Sequence, residues 1–525
     1  MTEPKTTPPI TIQPRCCPCR ENASGEGFTR REFLKGAGLT ALGSVAAGGL
    51  GWPLFAAPDE AAGDAYRPAA LKVKPILVYD VPERRPQTSW RNWGGIASEA
   101  DARAEVARIE AELAALAKKA GFPLQVLPVA AVRRAGDLAS ARDLEEADAV
   151  IVYAAGGWLD VYDALDRTGK DRILFCRHKS GPVYLWYEII SPRYLRKHGD
   201  SLAVKGVDED DVVIDSQDEI LWRLRALAGL KNTRGTKILA VGGPAAWSEP
   251  EGPGSVVKKV IDTWGFDIVT VSYDDLGRLI REARADAAAV RRAGARADTY
   301  LRQPGTSLET GRPFVVNGLL LDEVFRALMK KAGCRALTIN GCMGTIMPLA
   351  ETSACLTLST LNDDGYLAFC ESDFVVIPSG VLLANIAGHP VFLNDPTYPH
   401  DGLITLAHCT APRKMDGQKA EPARILTHFE SDYGAAPKVE MSRGQVVTNI
   451  APDFASKRWV GLLGEIVEAP FLPICRSQID ISFKCGDRTL AQRMPGFHWM
   501  TAYGDHTKEL AYALKRVGIA WDFLG

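Results

Sequence analysis

The run Ala149-Val150-Ile151-Val152-Tyr153 indicates the fold class, because it is apolar at every position and has the length of one strand. A strand with no polar face is buried on both sides, which is typical of a parallel sheet covered by helices. Similar runs occur at residues 76–79 and 172–176, and residues 98–119 repeat apolar side chains at helical spacing. This alternation of strands and helices predicts a doubly wound α/β domain.

A second unit of the same kind follows. The first domain is expected to close with a helix that begins at the capping box Ser216–Glu219 and ends near Gly229, before a polar break at residues 231–235. Gly242-Gly243 then follows a strand without the spacing G-x-G-x-x-G, so it indicates a turn rather than a nucleotide-binding loop. Helical segments separate three strand-like runs, at residues 238–241, 267–271 and 336–340.

Beyond residue 389 the chain changes to short apolar runs separated by turns, and helical periodicity returns only at residues 507–517. This texture indicates mainly antiparallel β-structure. The predicted fold class is therefore α/β, with two doubly wound α/β domains followed by a β-rich C-terminal domain. The predicted boundaries are 66–234, 235–388 and 389–525, after an export signal and linker in residues 1–65.

The export signal is predicted from Thr29-Arg30-Arg31-Glu32-Phe33-Leu34-Lys35, which has the form S/T-R-R-x-F-L-K. A weakly apolar stretch and then small residues follow, which is the order of a twin-arginine signal. We therefore expect the twin-arginine export machinery to be a partner and the location to be periplasmic or otherwise extracytoplasmic. No other segment is long and apolar enough to span a bilayer, so no transmembrane helix is expected in the mature chain.

The balance of charge argues against nucleic acid as a partner, and the cysteine positions indicate the state of the thiols. Lys and Arg number 62 against 64 Asp and Glu, for a net charge of −2, and no basic stripe indicates nucleic-acid binding. Cys16, Cys17 and Cys19 precede the arginine pair in a segment that we expect to be removed. The other eight cysteines are scattered through mostly apolar runs, which favours buried thiols over a metal cluster or a disulfide framework.

Three residues in apolar surroundings are candidates for chemistry: Glu371, Asp395 and His498. Two carboxylates and one imidazole suit a hard or borderline divalent cation that keeps open coordination positions. Each residue also has a structural interpretation, and residue type alone favours that interpretation over a functional role. Glu371 is suited to cap a helix, Asp395 to begin a turn, and His498 to be a hydrogen-bonded core histidine.

A family resemblance changes this balance. The segment 362–373 resembles the sequence around the metal-binding glutamate of the L-fucose isomerase and L-arabinose isomerase family. Gly388–Asp395 resembles the element G-x-P-x-F-L-x-D, which supplies a second carboxylate 24 residues after the first. Three further elements are similar in order and spacing, at residues 406–412, 474–478 and 496–499. The resemblance covers residues 340–525 by motif and the preceding α/β units by architecture.

The resemblance implies a fucose isomerase-like fold and a metal-dependent aldose–ketose isomerase, an intramolecular oxidoreductase. Mn²⁺ or another divalent cation would be held by Glu371, Asp395 and His498. Glu371 and Asp395 would move protons on an open-chain sugar through an enediolate. In this family the site lies between subunits, so a homo-oligomer is expected.

Four weaker substrate candidates are His408, Arg476, Tyr433 and Trp93. Each has a structural alternative: a strand-end histidine, an internal salt bridge, and plain packing for the two aromatic residues. The chain departs from the family in Phe497-His498-Trp499, where paired histidines are common, and in its export signal. Two other functions therefore stay open, a secreted non-catalytic sugar-binding protein and a metal-dependent epimerase or lyase acting on a sugar acid.

The double substitution Arg30→Lys/Arg31→Lys should block export, because the twin-arginine route reads the arginine pair. A cation site built from distant residues exists only in the folded chain, so folding before export loads it in the cytoplasm. Cell fractionation of the parent and the double variant measures this, with Lys35→Arg as a matched basic substitution outside the pair. Equal export of the parent and the double variant would show that the signal is misassigned.

Overall fold

The computed structural model describes residues 68–91, 95–184 and 189–525, all within the unit that runs from residue 59 to 525. The predicted export signal and the candidate Trp93 lie outside the described residues. Among the described helices, none combines the length and apolar character that crossing a membrane requires.

The first domain is a parallel sheet with helices packed on it, as the apolar runs predicted. Its strands are β1 Leu71–Val78, β2 Leu124–Val126, β3 Ala130–Val132, β4 Ala149–Ala154, β5 Asp171–Cys176 and β6 Val212–Ile214. Its helices are α1 Glu99–Lys119, α2 Leu159–Asp166 and α3 Gln217–Thr233. The strand order is β2-β1-β4-β5-β6, with β3 also paired to β1, and every residue of β4 is buried.

Helix α3 is longer than the sequence indicated. Ser216 caps its N-terminus by accepting a hydrogen bond from the Glu219 backbone, as predicted, but the helix continues past Gly229 to Thr233. A Cβ on Gly229 would lie 2.4 Å from Ile386 Cγ1 and 3.3 Å from Ile386 Cα. The prediction of a helix end near Gly229 is wrong because this glycine serves a close helix–helix approach instead of a C-cap.

The second domain is also parallel, with strand order β11-β10-β7-β8. Its strands are β7 Lys237–Val241, β8 Asp267–Val271, β10 Ala336–Ile339 and β11 Leu367–Phe369, and β9 Thr306–Leu308 lies between β8 and β10 in the chain. Its helices are α4 Ser255–Trp264, α5 Tyr273–Ala285, α6 Ala287–Leu301, α7 Arg312–Ala332, α8 Met347–Ala350, α9 Cys355–Asp363 and α10 Ile377–Ala387.

The C-terminal part contains a closed β-barrel and two strands of a separate sheet. Its strands are β12 Phe392–Pro396, β13 Leu403–His408, β14 Ala423–His428, β15 Tyr433–Val439, β16 Val446–Pro452, β17 Arg458–Glu468, β18 Ser477–Ser482, β19 Trp499–Tyr503 and β20 Ala520–Phe523, and its helices are α11 Asp487–Arg493 and α12 Thr507–Lys515. The order β16-β19-β12-β13-β18-β17 returns to β16, which closes the ring, and β20 joins β17 in parallel. Strand β9 pairs with β14, and β14 also pairs with β15, so these three strands form a separate sheet.

This barrel confirms the predicted β-rich C-terminal region, but its closure was not predicted. The expectation that helical structure returns only at residue 507 is wrong, because α11 forms earlier. Seven residues cover only about two turns, which is too short for a clear apolar periodicity.

A buried ion-pair cluster joins helices α6, α7 and α9 in the second domain. The Asp322 carboxylate has no exposed surface and lies 2.7 Å from Arg326 Nε and 2.6 Å from Arg296 Nη2. Thr360 Oγ1 donates a further hydrogen bond of 3.2 Å. Burial alone would raise the pKa of Asp322, but the two guanidinium groups outweigh it and lower the pKa.

Removal of Asp322 should strongly destabilise the fold. Asp322→Ala leaves two arginines without their buried partner, and breaking such a pair costs about 3–5 kcal/mol in the free energy of unfolding. The matched control is Asp262→Ala, which removes an exposed partner of Lys258 and should cost at most about 1 kcal/mol. Urea denaturation measures both variants.

The pH dependence gives a second check. A lowered carboxyl pKa contributes stability that is present above the unfolded value of about 3.9 and is lost as the pH falls. The difference between the parent and Asp322→Ala should therefore shrink on acidification. A pH-independent difference would contradict this account of the cluster.

Candidate functional site

The pairing of strand β12 brings three candidate side chains to one place. Strand β12 pairs with β13 and β19, with Asp395 opposite Ala407 on one side and Asn394 opposite Trp499 on the other. His408 and His498 are the chain neighbours of these two partners, so both histidines lie beside Asp395. Glu371 reaches the same point from the loop at the carboxyl end of β11.

The four side chains make close polar contacts. His498 Nε2 lies 3.3 Å from Glu371 Oε2 and 3.2 Å from Asp395 Oδ1. His408 Nε2 lies 3.7 Å from Glu371 Oε1. Both histidines are buried, whereas the two carboxylate side chains keep 23% and 22% of their surface exposed. The cluster therefore has buried imidazole rings on one side and carboxylates that reach solvent on the other.

Two sets of three ligand atoms are close enough to share one cation, each within 4.8 Å of one another. One set is Asp395, His408 and His498, and the other is Cys370, Glu371 and His408. His408, predicted only as a weak substrate or supporting contact, thus belongs to both sets. Cys370 was not predicted, although it directly precedes Glu371 in the quoted motif.

Two atoms of the cluster lack hydrogen-bond partners. Asp395 Oδ1 and His498 Nε2 are buried and, despite their mutual distance of 3.2 Å, neither meets the geometry of a hydrogen bond. Buried polar atoms without partners are uncommon and call for a specific explanation, such as an ion. Carboxylate and imidazole groups are suitable ligands for a borderline divalent cation. The residues therefore fit the cation that the sequence implies.

Asp373 orients His498 toward the cluster. Asp373 Oδ2 lies 2.8 Å from His498 Nδ1, and Asp373 Oδ1 accepts hydrogen bonds from the backbone of Trp247 and Val375. A carboxylate on one ring nitrogen fixes the tautomer and turns the other nitrogen toward a ligand. Sequence reasoning missed Asp373, although Glu371-Ser372-Asp373 places it only two residues from a candidate.

The backbone that carries Glu371 is strained. Glu371 and Ser372 have φ values of 64° and 46°, in the left-handed region that residues with a Cβ seldom adopt. Such residues each cost about 1–3 kcal/mol and cluster at functional sites. The loop after β7 supports this segment, because the Ala245 backbone donates to Ser372 O and accepts from the Phe374 backbone.

The two carboxyl groups differ in their proton affinity. Burial alone would raise the pKa of Glu371, but the adjacent imidazoles of His408 and His498 lower it well below its usual range. For Asp395 burial dominates and raises the pKa. Burial would lower the pKa of His498, but Asp373 and Glu371 raise it well above its usual value. Two carboxyl groups with separated pKa values are suited to opposite halves of a proton transfer.

Aromatic side chains form one wall beside the cluster. Trp247 and Phe497 stack with ring centres 4.0 Å apart and an interplanar angle of 4°. Their ring centres lie 5.6 Å and 4.7 Å from that of His498. Both residues are half-buried, so the wall combines an apolar face with access to solvent.

The remaining weak candidates have other partners. Arg476 Nε donates to Thr427 O at 2.7 Å, and its guanidinium stacks on Phe429, so this arginine makes an internal hydrogen bond rather than the alternative salt bridge. The Tyr433 ring packs edge-on against Phe314 at 4.6 Å, which agrees with the packing alternative. Trp93 lies outside the described residues, and Trp247 with Phe497 provides the aromatic surface that the structure describes next to His498.

Comparison with known proteins does not identify a family. No family model matches the chain, and no curated protein matches it. One solved structure with partial similarity is a carbohydrate transporter from Acidothermus cellulolyticus 11B in complex with myo-inositol, at 12% identity and a TM-score of 0.15 over 61% of this chain and 89% of that one. Another is a substrate-binding protein of a sugar ABC transport system from Bordetella parapertussis 12822, at 13% identity and a TM-score of 0.14 over 64% and 87%. Scores this low do not establish a shared fold.

We predict about one divalent ion per chain. The cluster supplies two carboxylates and two imidazoles, and two of their atoms, Asp395 Oδ1 and His498 Nε2, lack hydrogen-bond partners. Elemental analysis of protein purified without chelator measures the ion. Asp373→Asn should weaken cation affinity about 10–100-fold, the range typical for loss of a carboxylate that orients a histidine ligand.

The control variant is Asp480→Asn, which removes a carboxylate that accepts a hydrogen bond from Thr405 in the same barrel sheet. This variant should keep the cation affinity of the parent. Parent protein that holds no ion even after incubation with Mn²⁺ would overturn the prediction.

Proposed function

We propose that the protein is a metal-dependent enzyme that interconverts the aldose and ketose forms of an open-chain sugar. The observation that carries this proposal is the convergence of Glu371, Asp395, His408 and His498, with Asp395 Oδ1 and His498 Nε2 buried and without hydrogen-bond partners. Two carboxylates that reach solvent beside buried histidines provide both cation ligands and proton-transfer groups. Reversible binding of a sugar would not require this set.

The family resemblance assigns the cation to Glu371, Asp395 and His498. The ligand atoms of Asp395, His408 and His498 lie within 4.8 Å of one another, so His408 would be a further ligand. When bound, the cation would polarise the carbonyl of the sugar and stabilise negative charge on the adjacent oxygens. Asp373 holds His498 in the orientation that this requires.

Proton transfer falls to the two carboxyl groups. Glu371, next to two histidines, is held ionised and is suited to accept the proton from the carbon beside the carbonyl. Asp395, which faces His498, is suited to pass the proton between the oxygens. The two roles exchange when the reaction runs in the other direction, because forward and reverse reactions share one path.

Substrate contact would fall to the aromatic wall. An aromatic face offers a flat apolar surface to the carbon–hydrogen face of a sugar. The stacked pair of Trp247 and Phe497 lies next to His498, within reach of a molecule that contacts the cation ligands.

Two alternatives remain distinct from isomerisation. A sugar-binding protein without turnover would bind its ligand at the same cluster, and the names of the two transport proteins agree with it in ligand class only. An epimerase or lyase that acts on a sugar acid would use the same cation and base. Incubation with single aldoses, followed by chromatography of the products, separates a ketose from an epimer, a dehydrated acid or unchanged sugar.

Glu371→Gln should abolish turnover, because the amide keeps the shape of the side chain and removes its proton-accepting charge. The loss in kcat should be at least the ~10²-fold typical of removing a general base. The assay is ketose formation from the aldose on which the parent is most active, with cation supplied in excess.

The matched control is Glu430→Gln, a nearby glutamate whose pKa is raised mainly by burial and which belongs to neither ligand set. It should keep the kcat of the parent within a few-fold. Activity of Glu371→Gln close to that of the parent would exclude Glu371 as the base.

A further inference from the structure

Three thiols lie in contact beside the candidate site. Cys355 and Cys409 are buried together with Ala436, and Cys475 packs against them. The thiols of Cys355 and Cys475 and the His428 ring lie close enough to the Cys409 thiol to lower its pKa. Cys409 therefore lies between a thiol of the second domain, at the start of α9, and a thiol of the barrel.

Strand pairing fixes the contact between Cys409 and Cys475. Strands β13 and β18 pair with His408 opposite Ser477, so the next residues, Cys409 and Arg476, continue the register past the ends of the strands. The Arg476 backbone N–H donates to Cys409 Sγ at 3.4 Å. Cys475, one residue before Arg476 in the chain, is thus the diagonal neighbour of Cys409.

The three cysteines differ in their exposure to solvent. Cys355 and Cys409 each expose only 3% of their surface, whereas Cys475 is partly exposed. A small oxidant in solution therefore meets Cys475 first, with the buried Cys409 thiol already in contact behind it. This arrangement places an accessible thiol next to a resolving thiol, which is the arrangement of oxidation-sensitive cysteine pairs.

We propose that Cys475 and Cys409 are an oxidation site that forms a reversible disulfide with a peroxide as the oxidant. The Cys475 sulfur attacks one peroxide oxygen, the O–O bond breaks, and a sulfenic acid and one water form. The Cys409 sulfur then attacks the Cys475 sulfur, the S–O bond breaks, and a second water leaves. Two thiols and one hydrogen peroxide thus give one disulfide and two waters, and a dithiol reductant reverses the change.

The test uses the full chain purified in reduced form. Protein treated with hydrogen peroxide is quenched in acid, alkylated after denaturation, and digested without reduction for mass spectrometry. The expected product is a cross-linked peptide pair that contains residues 409 and 475, absent before peroxide and removed by dithiothreitol. Cys475→Ser should leave Cys409 alkylated after the same treatment, because the accessible thiol is gone.

Cys485→Ser is the matched control, since Cys485 is also partly exposed and also lies in the C-terminal region. It should form the 409–475 cross-link as the parent does. Complete alkylation of both cysteines in the oxidised parent would overturn the proposal. A cross-link of Cys409 to Cys355 in place of Cys475 would also overturn it, because exposure would then not select the partner.

Discussion

The double pairing of strand β12 is the constraint on which the candidate site depends. This strand of only five residues hydrogen-bonds to β13 on one side and to β19 on the other. A side chain has a fixed position once its strand is in register, and a slip of one residue would turn it to the opposite face. The closed barrel therefore holds Asp395 between two histidines without help from a ligand. The parallel sheet of the second domain then brings Glu371 to the same point from the carboxyl end of β11.

Local sequence was sufficient to predict the strands that are buried on both faces of a sheet. The runs that became β1, β4, β5, β7 and β10 contain their own signal, because an apolar strand of this kind has few alternatives. Barrel closure could not be predicted from local sequence, because β19 pairs with both β12 and β16, which lie far from it in the chain. Gly229 shows the same limit on a smaller scale. A side chain at position 229 would clash with Ile386, which lies in another helix.

The residues of the candidate site also differ in whether the sequence could predict them. Glu371, Asp395 and His498 were readable because a family resemblance supplied the long-range information that spacing lacks. His408 was predicted only as a weak candidate and Asp373 was not predicted, because the contacts of each are with a residue of another element. His498 Nδ1 contacts Asp373 across the junction of the loop after β11 and the barrel. No local pattern encodes that contact, and only the assembled domains create it.

The position of His498 in the chain has a consequence for synthesis. A ribosome makes Glu371 and Asp395 well before His498, and β19, which fixes that histidine, is made later still. A nascent chain that stops before His498 therefore holds both carboxylates without this imidazole, and one that stops before β19 lacks the strand that positions it. Any ligand that needs the whole cluster recognises only chains whose barrel is complete, and stabilises them by mass action over incomplete ones. Ligand occupancy of this cluster would thus report that the chain has been made through β19 and that the barrel has formed.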